Sequence, residues 1–352
     1  MTQNPVIAVD WGGTNRRFAI VQGPSILWEE KGPTFPTKYH DQQHDKKEIT
    51  QRLFLTSLEK AVGQIRDFGV TDDIRLGVAS AGPLNVYTGE LLSPQNIGCG
   101  DFNIPQHARE YGIESTTVLN DVDGIGLGHY AFGEGKNVRH LGLIAPGTGL
   151  GVSHLVEGQP QQAGSRAGGM AFEGGHCYYP GLTREEFDAG WTHEEMRPHG
   201  YPTFEDMTAK GFWNLYQHVY GPSPLEKRDR MIRNAPHDRR PMLIEQAARQ
   251  GDPSCMQTCL QVARHLGMYA ATFQNHVGAD VIVLDGSCAN MFRQLPDKQE
   301  GSFRPGAFGQ KMLDTMAEQF YKATWTQYHQ TEFRLARLEN AGILGAAYAA
   351  RR

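Results

Sequence analysis

The chain has 352 residues and a net charge of −5 at neutral pH, and 39% of its residues are hydrophobic. This length and composition are typical of a soluble protein with two domains or one large domain, and the acidic balance argues against a nucleic-acid-binding protein. No apolar run reaches the roughly 18 residues that cross a bilayer, and five scattered cysteines fit reduced thiols better than a disulfide framework. The sequence therefore predicts a cytoplasmic protein with no membrane partner and no nucleic-acid partner.

The first predicted element is a short apolar run, Val6–Asp10, which leads into a turn of small residues at Gly12–Asn15. An alternating pattern resumes after the turn, so we expect a strand, a glycine turn and a second strand. Backbone N–H groups in such a turn can surround a phosphate, and Asp10 could hold Mg²⁺ through water. An ordinary hairpin turn would have the same composition. The candidate phosphate-binding residues are Asp10, Gly12, Gly13, Thr14 and Asn15.

A candidate catalytic carboxylate follows in the next block of strands and helices. Helical spacing over residues 48–65 is followed by an apolar strand at Arg75–Ser80 and another at Thr117–Leu119. The last strand runs into Asn120 and Asp121, which begin a glycine-spaced helix. A carboxylate at the end of a strand can take a proton from an attacking hydroxyl, whereas Asn and Asp are also the residues that cap helices. Asp121 is thus a candidate general base, with helix capping as the alternative.

A second strand–turn–strand unit follows at Gly147–Gly151, between the apolar run Leu141–Ala145 and a further alternating run. A dinucleotide-binding glycine motif passes from a strand into a helix, and a P-loop carries Gly-Lys-Ser/Thr, so neither motif fits here. Gly147, Thr148 and Gly149 are therefore candidates for a second phosphate loop. Two such turns that faced each other would be suited to holding a triphosphate.

Two further residues are candidates for contacts with sugar hydroxyls, and two more are polar residues whose role is ambiguous from the sequence alone. Glu173 and His176 flank a Gly-Gly pair, and a carboxylate and an imidazole can together hydrogen-bond vicinal hydroxyls. A lone histidine is also common as a loop or core residue, and no second His or Cys lies at zinc spacing. Asn96 lies in a loop, and Glu205 lies at the head of a helix, where acidic residues are favoured in any case.

The rest of the chain completes the fold class. Helical periodicity predicts a long helix over Pro253–Val277, followed by a strand at Val281–Leu284 and a closing helix after Glu339–Gly342. Strands that alternate with helices predict an α/β protein.

Taken in order, these motifs resemble those of the bacterial-type glucokinases, the zinc-free branch of the sugar kinases in the hexokinase/actin-like ATPase superfamily. The stretches that carry the resemblance are Asp10–Asn15, Asn120-Asp121, Gly147–Gly151, Glu173–His176 and Glu339–Gly345. The resemblance implies a two-domain actin-like ATPase (ribonuclease H-like) fold with a cleft between the domains. The implied small N-terminal α/β domain covers residues 1–118 and is completed by the C-terminal helix at about 339–352. The implied large C-terminal α/β domain covers residues 119–338.

The resemblance also implies an activity, which is transfer of a phosphoryl group from Mg-ATP to the 6-hydroxyl of glucose, with Asp121 as general base. The residues that would hold the sugar are Asn96, Asn120, Asp121, Glu173, His176 and Glu205. Those that would surround the ATP phosphates are Asp10, Gly12, Gly13, Thr14, Asn15, Gly147, Thr148 and Gly149, with Asp10 holding Mg²⁺ through water. The implied partner is a small hexose, and the family often forms homodimers.

Departures from the family pattern leave several alternatives open. The cysteine cluster that binds zinc in repressor-type relatives is absent after His176, which favours a protein without zinc. The segment after Glu205 is slightly shorter than usual, and Asp285 stands where the family has an adenosine-binding glycine, so the phosphoryl donor is open. The substrate could instead be an N-acetylhexosamine, mannose or fructose, because small pocket changes decide between hydroxyl patterns. A non-catalytic sugar-binding relative is a further alternative, whereas a transcription regulator would need a DNA-binding segment before Val6.

Overall fold

The computed structural model describes residues 4–35, 45–92, 94, 97–147, 149–162, 174–177, 179, 181, 183, 203–221, 223–236, 239–292 and 307–352. The chain divides into two compact units. Unit 1 comprises Met1–Gly142, Ser153–Phe172 and Ala336–Arg352, and unit 2 comprises Leu143–Val152 and Glu173–Leu335. The predicted α/β class is confirmed, and the domain limits given above stay a prediction.

The strands of the described residues form three sheets. In chain order the strands are β1 (Val6–Trp11), β2 (Asn15–Gln22), β3 (Ser25–Pro33), β4 (Arg75–Ser80), β5 (Leu84–Asn85), β6 (Glu90–Leu91), β7 (Phe102–Asn103), β8 (Ser115–Asn120), β9 (His140–Pro146), β10 (Leu150–Val156), β11 (Gln159–Pro160), β12 (Val281–Leu284) and β13 (Glu332–Leu335). The sheet orders are β3-β2-β1-β4-β8, β11-β10-β9-β12-β13 and β5-β6-β7. Both predicted strand–turn–strand units are confirmed, as β1–β2 and β9–β10.

The α-helices of the described residues follow the same chain order. They are α1 (Lys46–Asp67), α2 (Ile104–Glu110), α3 (Asp121–Phe132), α4 (Ala209–Asn214), α5 (Glu226–Asn234), α6 (Arg240–Arg249), α7 (Pro253–Val277), α8 (Ala307–Ala323) and α9 (Ala341–Ala350). Short 3₁₀ turns occur at Gly174–His176, Phe204–Met207, Ser287–Phe292 and Thr326–Tyr328, and a π-helical turn occurs at Leu215–Val219.

The first sheet, in unit 1, combines antiparallel and parallel strand pairs. β1 pairs with β2 in the antiparallel sense, so that Asp10 lies opposite Arg17, whereas β1, β4 and β8 run parallel. In the parallel register Asp10 is beside Ala79, and Ala79 is beside Leu119. Because parallel strands end at the same side of a sheet, the carboxyl ends of β1, β4 and β8 meet at one edge, where ligands commonly bind.

Helix α1 covers the apolar face of this sheet. It begins after Asp45, whose side chain accepts a hydrogen bond from the Lys47 N–H, as is typical of a helix cap. The buried side chains shared by the sheet and α1 include Ile7, Val9, Phe18, Phe54, Leu58 and Val78.

Helix α9 packs so closely against α3 and the sheet that its backbone contacts theirs at glycine positions. A Cβ added at Gly345 would lie 1.7 Å from the Gly124 carbonyl oxygen, and one added at Gly128 would lie 2.1 Å from the Ala341 carbonyl oxygen. Non-bonded atoms cannot approach so closely, so glycine alone fits at these two positions. The last helix of the chain is therefore an internal part of unit 1.

In unit 2, the 25-residue helix α7 is buried along most of its length. Asp252 caps it by accepting a hydrogen bond from the Cys255 N–H at 3.1 Å, Pro253 begins it, and Gly278 ends it with a φ of 63°. These residue types favour those positions in helices. The predicted limits of Pro253–Val277 are confirmed.

Candidate active site

Asp10 lies near the carboxyl end of β1, against the start of α9. A methyl group at Gly342 would lie 3.1 Å from Oδ2 of Asp10. Burial raises the pKa of Asp10, and the positive charge of Arg17 on β2 acts in the opposite direction. Asp10 is thus a partly desolvated acid beside one cation, and a bound divalent cation would stabilise its ionised form.

Arg17 is held in place by residues from two other segments of unit 1. It forms an ion pair with Glu29 on β3 and donates a hydrogen bond to Oδ1 of Asn340 at 2.6 Å. Asn340 precedes α9 and adopts a left-handed conformation, with a φ of 64°. Sequence reasoning missed Arg17, because its place beside Asp10 follows from the β1–β2 register rather than from a motif.

The first glycine turn is closed by backbone hydrogen bonds and by Thr34. The Gly12 N–H donates to the Asn15 carbonyl at 3.0 Å, and the Thr34 N–H donates to the Thr14 carbonyl at 2.9 Å. The Thr34 hydroxyl donates to the Gly12 carbonyl at 2.6 Å. Within the described residues, no hydrogen bond uses the N–H groups of Gly13 and Thr14. Two adjacent donors are therefore available to an anion at this turn.

Asn120 and Asp121 lie at the junction of β8 and α3, at the same edge of the sheet as Asp10. Asn120 is buried and caps α3, because its Oδ1 accepts a hydrogen bond from the Val122 N–H at 3.0 Å. Oδ1 of Asp121 accepts from the same N–H at 2.9 Å, and the Asp121 side chain is half-buried. Helix capping, the alternative considered from the sequence, is confirmed for Asn120. The cap fixes the first turn of α3 and with it the position of Asp121.

A second carboxylate, Asp123, lies two residues further along α3, and sequence reasoning did not single it out. It is buried, and its Oδ1 accepts a hydrogen bond from the Ser153 hydroxyl on β10 at 2.5 Å. Oδ2 has no hydrogen-bond partner among the described residues. Burial raises the pKa of Asp123 to about 7, the hydrogen bond from Ser153 lowers it, and the negative charge of Asp121 adds to the rise. Acids that titrate this far from their ordinary range are common at functional sites.

The second glycine turn, in unit 2, is supported by the segment that follows β12. The Gly147 N–H donates to the Gly149 carbonyl at 2.8 Å, and the Cys288 thiol donates to the Gly147 carbonyl at 3.4 Å. Gly286 has a φ of 99°, and a Cβ there would lie 2.6 Å from the backbone of β9. The segment 285–288, which begins with Asp285, therefore packs directly on this turn.

The predicted sugar-binding segment contacts the strand that follows the second glycine turn. Gly174–His176 forms a 3₁₀ turn, and a Cβ added at Gly175 would lie 2.6 Å from the Leu150 carbonyl oxygen. The side chain of His176 is exposed. Unit 2 thus brings the backbone next to His176 into contact with the start of β10.

Glu205 belongs to the 3₁₀ turn Phe204–Met207, which adjoins this segment. The Phe204 N–H donates to the Cys177 carbonyl at 3.2 Å, so the two backbones lie side by side. The predicted site residues that lie outside the described residues are Asn96, Thr148 and Glu173, and the side chain of Glu205 lies outside them as well.

In the part of the chain that the structure describes, no group of three or more His, Cys, Asp and Glu side chains is arranged to hold a metal ion. None of the helices described is long and apolar enough to cross a membrane.

Curated relatives of this chain include two bacterial glucokinases. The glucokinase of Cupriavidus metallidurans is 28% identical over 195 residues, which are 53% of this chain and 51% of that protein. The match therefore spans about half the length of that relative. The glucokinase of Nitrobacter hamburgensis is 27% identical over 292 residues, or 77% of each chain.

Among solved structures, a ROK family glucokinase from Streptomyces griseus in complex with glucose and AMPPNP has the same fold. The TM-score is 0.68 with 99% of both chains covered, at 19% sequence identity. The two-domain actin-like ATPase fold expected from the sequence is confirmed, and so is the resemblance to bacterial-type glucokinases, at low identity. The ROK family model matches residues 6–352, from the first strand to the end of the closing helix. The chain belongs to the ROK family.

Proposed function

We propose that this chain is a hexose kinase that transfers a phosphoryl group from ATP to the 6-hydroxyl of glucose. The observation that carries the proposal is the sheet edge in unit 1, where parallel strands bring the first glycine turn and Asp10 to the same edge as Asp121. Phosphoryl transfer to a hydroxyl requires phosphate donors and an aligned base. Membership of the ROK family and the glucose and AMPPNP complex of the Streptomyces griseus protein support the same reaction.

Asp121 is the proposed general base on the sugar hydroxyl. Its backbone begins α3, and the Asn120 cap holds that turn, so the carboxylate is presented from a fixed position. Removal of the hydroxyl proton as the phosphoryl group is transferred strengthens the nucleophile and avoids a charged, protonated product.

The proposed phosphate contacts come from both glycine turns. In unit 1 they are Gly12, Gly13, Thr14 and Asn15, and the N–H groups of Gly13 and Thr14 are the donors with no partner among the described residues. In unit 2 they are Gly147, Thr148 and Gly149. Backbone donors of this kind stabilise phosphate charge without any chemical step of their own.

Asp10 fits the water-mediated Mg²⁺ contact expected from the sequence. Its carboxylate is half-buried, and a nearby dication would offset the burial that disfavours its ionised form. Mg²⁺ binds through one or two carboxylates, several waters and substrate phosphates. When bound, it neutralises charge on the transferred phosphoryl group.

The proposed sugar contacts are Asn96, Asn120, Glu173, His176 and Glu205, together with Asp121. Glucose is the proposed hexose because the curated relatives described above are named glucokinases. We further expect that the protein is cytoplasmic, that it binds no zinc and that it is able to form homodimers.

The test is a coupled assay of ADP formation by the purified full chain with ATP, Mg²⁺ and a panel of hexoses. We expect glucose-selective turnover, and a fall in kcat of about 10²–10⁴-fold for Asp121→Asn, since general bases contribute effects of that size. Asp314→Asn makes the same change at an exposed position on α8 and is the matched control, with wild-type kinetics expected.

Each part of the proposal has its own contradicting result. Preferred turnover of another hexose would contradict the glucose assignment alone. Wild-type turnover by Asp121→Asn would contradict its role as base. Absence of turnover with every hexose, in a folded protein, would contradict the kinase function.

A further inference from the structure

Asp123 is a buried acid in the same helical turn as the proposed base. It is 1% exposed, whereas Asp121, two residues earlier, is half-buried. Both acids lie in the first turn of α3, where the helix dipole favours negative charge. A capping role is filled by Asn120, so the turn does not need Asp123 for that purpose.

The contact that fixes Asp123 is its hydrogen bond from Ser153. The serine is also 1% exposed, and its hydroxyl donates to Oδ1 at 2.5 Å. Gly126 allows this approach, because a Cβ there would lie 3.3 Å from the Ser153 hydroxyl and 2.7 Å from Cδ1 of Leu155. The helix that carries the base is thus joined to β10 by a short hydrogen bond next to close side-chain packing.

The charges around Asp123 favour its neutral form. Besides Asp123, the titratable side chains on α3 and on the elements packed against it are Asp121, His129, Tyr130, Arg75 on β4, His154 on β10 and Tyr348 on α9. The charge that acts on Asp123 is the negative charge of Asp121. Two carboxylates in one turn repel each other, so the more buried one retains its proton while the more exposed one ionises.

Resting on the kinase function proposed above, we propose that Asp123, held by Ser153, is a positioning residue that orients Asp121 and remains neutral during turnover. A neutral Asp123 leaves the negative charge of the site on the base alone. Ionisation of Asp123 adds a second negative charge to the helical turn that carries the base, and repulsion between the two carboxylates then opposes the placement of Asp121 that transfer requires. We therefore expect kcat to fall as the pH rises through about 7, with Asp123 as the responsible group.

The experiment measures kcat and the KM values for hexose and ATP from pH 5.5 to 9 in the full-length chain. Asp123→Asn keeps a neutral polar group, so we expect kcat within about threefold of the wild type at pH 6 and no fall near pH 7. Asp123→Ala removes the contact with Ser153 and should lower kcat by about tenfold or more at unchanged KM, because small displacements of a catalytic group have effects of this order. Ser153→Ala should move the fall to higher pH, since its hydrogen bond lowers the pKa of Asp123.

Ser223→Ala is the matched control. It removes another buried hydrogen bond from a serine to an aspartate, in this case Asp252 in unit 2. A wild-type pH profile is expected for this variant. A purely structural effect of losing such a bond would appear equally in both serine variants.

The outcomes separate the positioning role from the kinase function. A fall near pH 7 that persists in Asp123→Asn would overturn the proposal, and so would wild-type kcat and pH dependence in Asp123→Ala. If Asp123→Ala does not fold, the pH dependence of kcat in Asp123→Asn and Ser153→Ala still tests the proposal. Absence of turnover in the wild type would contradict the kinase function and the positioning role together, whereas unchanged variants of an active enzyme would contradict the positioning role alone.

Discussion

Two buried aspartates, one in each unit, accept a hydrogen bond from a serine at 2.5 Å, and their pKa values shift in opposite directions. Burial raises the pKa of Asp123 to about 7. Burial would also raise the pKa of Asp252, but hydrogen bonds from its serine, from a backbone N–H at the start of α7 and from Arg228 hold it below its ordinary value. Nη1 of Arg228 lies 3.1 Å from Oδ2 of Asp252.

The difference shows that one serine does not decide whether a buried carboxylate is ionised. Asp252 lies beside the cation of Arg228 and caps helix α7, so its negative charge stabilises the fold. Asp123 has neither a cation nor a second hydrogen bond among the described residues, and the charge that affects its pKa is that of another acid, Asp121. A group held so far from its preferred ionisation state fits a role at the site better than a role in stability.

Asp123→Asn should have the largest effect on how stability varies with pH. In the unfolded chain this acid releases its proton near its ordinary pKa of 3.8, and in the folded chain near 7. Between these values the folded state binds more protons, so the free energy of unfolding falls as pH rises, by roughly 4 kcal/mol in total. Urea unfolding at pH 4.5 and pH 8 should show that the free energy of unfolding of the Asn variant, relative to that of the wild type, is higher at pH 8 than at pH 4.5. If the free energies of unfolding of the two proteins change equally with pH, Asp123 does not have the raised pKa on which the comparison rests.

Asp252→Asn should show the opposite pH dependence. Its lowered pKa means that the ionised form stabilises the fold above the ordinary pKa, and that this contribution is lost as the pH falls through the folded value. The variant leaves Arg228 without its buried partner, and we expect a loss of about 3 kcal/mol at pH 7. The difference from the wild type should narrow towards pH 3 in the same urea titration. A loss that is independent of pH would indicate packing rather than charge.

The two serine variants should differ by a smaller amount. At pH 5.5 Ser153 donates to a neutral acid and Ser223 to an ionised one, and bonds to charged groups are stronger. We expect Ser153→Ala to lose about 1 kcal/mol and Ser223→Ala about 2 kcal/mol. Urea titrations with equal m-values would make the comparison direct. Equal losses, or the reverse order, would show that the ionisation states assigned to the two aspartates are wrong.

The helices and strands whose exact limits the sequence predicts are those with clear signals in neighbouring residues. Helix α7 has a capping Asp, a Pro at its start and a Gly after its end, and β4 and β12 are short apolar runs with clear limits. β3 escaped prediction because Glu29, Glu30 and Lys31 interrupt its pattern. As an edge strand it tolerates those charges, and its pairing with β2 is set by the turn between them.

The residues of the candidate site also fall into two groups, those that a local motif predicts and those whose position depends on distant segments. The glycine turns and Asn120-Asp121 are local motifs, and their placement in strand–turn–strand units and at a helix start follows from neighbouring residues. The hydrogen bond that fixes Asp123 comes from Ser153, thirty positions later, and α3 itself packs against a closing helix from the far end of the chain. The place of Arg17 beside Asp10 depends on strand register. Neither relation is visible in a local pattern, because each arises only when distant segments pack.

The internal position of α9 has a consequence for synthesis of the protein. Unit 1 requires Ala336–Arg352, which emerges from the ribosome after every residue of unit 2. At about 5–20 residues per second, the roughly 190 residues between Gly142 and Ala336 take on the order of 10–40 s. During that time β1, β4 and α3 lack the helix that packs against them, and a chain stalled at Leu335 should be cut readily by protease within its first 142 residues. The unit whose strands are made first is therefore the last to complete its fold.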